Sequence, residues 1–70
     1  TPISFVEDLL QDLFFKTKLE AKALSLEIHE YGRSIVAKYP LEVANMKVNQ
    51  VHELAKINDY PLKAIIEKED

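Results

Sequence analysis

Ile3-Ser4-Phe5-Val6-Glu7-Asp8-Leu9-Leu10-Gln11-Asp12-Leu13-Phe14-Phe15, residues 3–15, places Ile3, Val6, Leu9, Leu10, Leu13 and Phe14 three or four positions apart. That period puts them on one face of a helix, with Phe5 widening the stripe and Glu7, Asp8, Gln11 and Asp12 opposite. Phe15 falls outside the stripe and projects toward the polar side. Ser4-Phe5-Val6-Glu7 has the form of a capping box, in which serine and glutamate satisfy each other's backbone donors, so a helix over about 4–15 is expected. Thr1-Pro2 is a competing start three residues earlier.

The next stretch opens with Thr17-Lys18-Leu19-Glu20, a second capping-box pattern, which breaks the chain near Lys16–Thr17 and starts a helix over about 18–38. Its main stripe is Ala21, Leu24, Ile28, Tyr31 and Ile35. A second, weaker stripe of Leu19, Ala23, Leu26 and Ala37 points elsewhere, as expected of a helix with neighbours on two sides. Gly32 reads as a helix-interior glycine at a cost of about 1 kcal/mol relative to alanine. With Ala21 and Ser25 it forms a line of small side chains where another backbone could come close.

A third helix is expected over about 40–57, opened by Pro40, with Leu41, Ala44, Val48, Val51 and Ala55 inward and Glu42, Asn45, Asn49, His52, Glu53 and Lys56 forming a polar face. Val43, Met46, Leu54 and Ile57 spread its apolar arc. Asn58 suits the left-handed turn that ends helices, and Asp59 suits the N-cap of a short last helix over about 60–68. Tyr39-Pro40-Leu41-Glu42 and Tyr60-Pro61-Leu62-Lys63 echo one another, and aromatic-Pro-Leu as a good helix start explains both without a structural repeat. The expected fold is all-α: one small domain, residues 1–70, of three to four helices. Because its first residue is Thr1 and not methionine, it also suits a fragment of a longer chain.

Composition narrows the function. The chain is 47% hydrophobic and 30% charged, too apolar for intrinsic disorder. It lacks cysteine, which removes disulfides and thiolate-bound zinc. That lack, with no secretory signal and no apolar run of about 18–20 residues, suggests a cytoplasmic protein without a membrane span. A net charge of −3 and the absence of a basic patch argue against nucleic acid.

One glycine cannot build a phosphate loop, and no Gly-x-Ser-x-Gly elbow surrounds any serine, so an enzyme is not expected. No cofactor is implied. His29-Glu30 and His52-Glu53 look paired, but neither histidine has a carboxylate three or four residues away, the spacing a helical metal site requires. Both read as exposed polar-face residues.

The remaining signal is an apolar surplus. One core of this size supplies only about 3–5 kcal/mol, and surplus apolar side chains on its helices mark an interface. The chain therefore reads as a non-enzymatic protein-interaction or oligomerisation module, an adaptor or regulatory domain whose partner is another protein chain, a homodimer included. The surface expected to carry this is Phe5, Leu9, Leu13 and Phe15, with Leu19 and Leu26 beside them. The alternative is a helix-turn-helix DNA binder or transcription regulator with Ile57-Asn58-Asp59-Tyr60 as the turn and Lys63 and Lys68 on the recognition helix.

Overall fold

The structure, a computed structural model, describes residues 1–69. Among them are three helices and no strand: α1 (Ile3–Phe14), α2 (Lys18–Tyr31) and α3 (Leu41–Ile57). The all-α class and the three principal helices agree with the sequence. The chain divides into two compact units, Thr1–Ala37 and the part from Lys38 onward.

In the first unit α1 packs against α2. Helix α1 starts one residue before Ser4: Pro2 is its N-cap, and the Pro2 carbonyl accepts from Phe5 N–H at 3.2 Å and Val6 N–H at 3.4 Å. Ser4 is thus a helical residue and not a cap, and the earlier start at Thr1-Pro2 is the one used. Proline costs nothing there because the first amides of a helix have no intrahelical acceptor. At the other end Phe15 adopts the left-handed conformation (φ 53°), and the N–H of Lys16 donates to the Leu10 carbonyl at 3.1 Å.

The break before α2 lies where the capping box placed it. Thr17 Oγ1 accepts from Glu20 N–H at 3.1 Å, and Thr17 N–H donates to Glu20 Oε1 at 3.0 Å. These bonds hold the Glu20 carboxyl below its ordinary range, the backbone bond from Thr17 being the largest cause.

Helix α2 then stops at Tyr31, seven residues short of the expected end at 38. Gly32 is its C-cap, left-handed at φ 85°, and donates to the Ile28 carbonyl at 2.8 Å. Only glycine adopts this geometry without a Cβ penalty, so Gly32 terminates the helix and does not sit inside it. Tyr31 and Ile35, expected inward, are consequently exposed. The buried side chains of this unit are Val6, Leu9 and Leu10 from α1 and Ala21 and Ser25 from α2. The small-residue line therefore holds for Ala21 and Ser25 and ends there.

In the second unit, α3 begins from Pro40, whose carbonyl accepts from Ala44 N–H at 2.9 Å. Val51 and Ala55 are buried and Ala44 and Val48 half-buried. Leu41, in the first turn, is exposed, and so is the whole expected polar face. The C-cap Asn58 keeps a right-handed bridge conformation (φ −91°, ψ 1°), while its side-chain Nδ2 donates to the Leu54 carbonyl at 2.9 Å. The left-handed residue is Asp59 (φ 59°), one position later than expected.

Residues 60–68 are not helical, so the fourth expected helix is absent. The physical reason lies in where two amides go. Tyr60 N–H donates back to Ala55 at 2.8 Å, ending α3. Ala64 N–H, which a helix would direct to Tyr60, donates to the His52 ring at 3.0 Å. A nine-residue helix containing adjacent Ile65 and Ile66 has little stability to set against these bonds. From Tyr60 to Ile65 burial alternates residue by residue, the pattern of an extended chain. Without a helix after the turn, the helix-turn-helix reading loses its recognition element. Lys38 and Glu69 are joined by an exposed ion pair at 2.9 Å, and Lys47 Nζ lies 5.9 Å from the Tyr39 ring centre.

Candidate docking surface

The six side chains expected to grip a partner separate into three groups. Phe15 is 81% exposed, Leu19 78% and Leu26 47%. Phe5 and Leu13 are half-buried. Leu9 is only 5% exposed and belongs to the core, which removes it from any docking surface. The amphipathic pattern of α1 could not separate Leu9 from its neighbours, because one stripe serves both for packing on α2 and for anything beyond it.

Local structure positions the exposed three. Leu19 and Leu26 are seven residues apart, about two turns, so they lie on one face of α2 with exposed Ala23 between them. Ala21 is about 200° round the helix from Leu19 and is fully buried. The capping box at Thr17 fixes where this face begins, and the left-handed turn at Phe15 stands just before it. Lys22 and Glu30 flank the stripe with opposite charges. An apolar stripe with a mixed polar rim is the usual composition of a protein-binding patch.

Pattern reading of the sequence did not single out the exposed apolar residues of the second unit. Met46 and Ile57 are eleven residues apart on α3, about three turns, and share an outward face; Ile65 is exposed farther along. The signal was available in the breadth of the α3 apolar arc. A groove in this unit is lined by His52, Lys56, Asp59, Tyr60, Leu62 and Lys63, among others, and opens widely to solvent.

Among the described residues, two buried polar atoms have no partner, Ser25 Oγ and Gln50 Oε1. Among the described residues, no group of three or more His, Asp or Glu side chains could hold a metal ion, and no helix is long and apolar enough to cross a membrane.

Comparison with known proteins gives the surface a context. Residues 1–65 match the family model described as "ATP-dependent Clp protease adaptor protein ClpS". An ATP-dependent Clp protease adapter protein ClpS from Bdellovibrio bacteriovorus is 41% identical over 69 residues, 99% of this chain and 60% of that protein. The corresponding protein of Gluconobacter oxydans is 42% identical over 69 residues, covering 99% of this chain and 58% of its own length. For that of Nitrosomonas eutropha the figures are 41%, 99% and 67%. The chain thus spans about three-fifths of the length of the first two relatives. No solved structure matches it. The family is one of adaptors and not of enzymes, in agreement with the absence of catalytic motifs in the sequence. With 65 of its 70 residues matched, the chain belongs to the ClpS family of ATP-dependent Clp protease adaptor proteins.

Proposed function

We propose that this chain is a protein-binding part of an adaptor for an ATP-dependent Clp protease, and that Phe15, Leu19 and Leu26 form one of its docking contacts. Family membership supplies the adaptor role; the relatives carry it in their names. The observation that carries the site is the exposure of three large apolar side chains in one region of the first unit. Hiding each is worth about 1.5–3 kcal/mol. Self-association finds no support in the family relationship, so the partner is a different protein.

The test is binding of the whole protein that contains this chain to the Clp protease of the same organism, followed by fluorescence anisotropy. The Phe15→Ser, Leu19→Ser and Leu26→Ser triple variant is expected to bind about tenfold or more weakly, as for removal of interface anchors worth over 1 kcal/mol. Unchanged affinity with a folded variant would sink the assigned surface. No binding by the unaltered protein would sink the adaptor reading.

A further inference from the structure

We propose that His52 is a pH-sensitive latch that holds the non-helical segment 61–69 beside α3. The ring is exposed on the polar face of α3, and its Nε2 lies 3.0 Å from the Ala64 nitrogen, twelve residues downstream. A backbone N–H can only donate, so Nε2 accepts. That fixes the tautomer: Nε2 carries a bare lone pair and Nδ1 the proton. The same bond keeps Ala64 from donating to Tyr60, so it selects the non-helical path of the segment as well as its position.

The groove around the ring carries Lys56 from α3, Asp59 and Tyr60 from the turn, and Lys63 from the segment, with Glu53 adjacent to His52 on α3. When the imidazole takes up a proton, Nε2 becomes a donor facing a donor, and the bond to Ala64 is lost. Lys56, Asp59 and Lys63 line the groove beside the new cation, and Glu53 is its neighbour on α3. The neutral ring therefore holds the segment and the charged ring releases it. Opening uncovers the groove in which Leu62 is half-buried near Ala55.

Amide exchange and ring titration of the ¹⁵N-labelled chain, followed together by NMR between pH 8 and pH 5, test this directly. The protection factor of the Ala64 amide, corrected for the intrinsic pH dependence of exchange, is expected to fall about three- to tenfold, as for loss of one hydrogen bond. The fall should have the same midpoint as the His52 ring and not follow that of His29. His52→Gln offers an acceptor that does not titrate and should keep Ala64 protected at both ends of the range. His52→Ala should leave it unprotected throughout. Ala64 protection that ignores pH in the unaltered chain, survives His52→Ala, or still follows pH in His52→Gln would overturn the proposal.

Discussion

Thr17 and Glu20 bond one another twice, side chain to backbone in each direction, at 3.1 and 3.0 Å. The arrangement stabilises the charged carboxylate of Glu20 and holds its titration below the ordinary value of 4.5, chiefly through the Thr17 backbone N–H and then the Thr17 side chain, with a small contribution from Lys16. A carboxyl lowered in the folded state contributes stability that is present above its unfolded value and disappears as pH falls through the folded one. The first turn of α2 is therefore expected to loosen below pH 4.5. Carbon-detected NMR titration should place the Glu20 midpoint below that value, and Thr17→Ala, which removes the hydroxyl but keeps the backbone N–H, should raise it only in part while costing about 1 kcal/mol in urea unfolding. A Glu20 midpoint at or above 4.5 in the unaltered chain contradicts the account.

Leu10 is 2% exposed and is the largest fully buried side chain of the first unit. Leu10→Ala is expected to cost about 2–5 kcal/mol, comparable with the whole roughly 3–5 kcal/mol available to one core of this size. Circular dichroism at 25 °C should show a largely unfolded chain. A melting transition lowered by only a few degrees would mean that the core is elsewhere.

Ser25 buries a hydroxyl that has no partner. Taking a hydroxyl from water without a new bond is unfavourable by about 1–3 kcal/mol, and alanine has the higher helix propensity. Ser25→Ala should leave stability unchanged or raise it by about 1 kcal/mol, read from urea unfolding. A loss of that size would show that the hydroxyl has an acceptor after all.

Phe15 combines a left-handed backbone with a ring that is 81% exposed. The conformation is unfavourable by about 1–2 kcal/mol for a residue with a Cβ, and less so for asparagine. Phe15→Asn should thus keep or slightly raise stability while weakening attachment to the Clp protease. Equal loss of both would make the ring a packing element and not a docking one.

These residues also show which parts of the structure local sequence can reveal. The Thr17–Glu20 box was legible because every participant lies within four residues. Ser4–Glu7 has the same form yet does not cap, because Pro2 already opens the helix one residue before Ser4. Gly32 was misread for a different reason. Ile35 continues the apolar period of α2 past it, and periodicity does not register a backbone that has turned left-handed. The last segment was beyond local reading altogether. Asp59 and Pro61 look like a helix start, but the Ala64 amide bonds to His52, twelve residues away, and not to Tyr60. On the docking surface, sequence found the exposed Phe15, Leu19 and Leu26 together with the buried Leu9, since a hydrophobic stripe records a preference for apolar surroundings without naming their source.

Gly32 has one more consequence. Its backbone is left-handed, and a Cβ built there would meet nothing within 4 Å. The obstacle to a side chain at this position is therefore chirality and not crowding. A chain assembled by chemical synthesis with D-alanine at 32 should gain about 0.4–1 kcal/mol, since the mirror-image residue favours this geometry and restricts the unfolded chain, whereas the L-enantiomer should lose about 1 kcal/mol. Two molecules of identical formula would then melt at different temperatures, separated only by the handedness of one carbon.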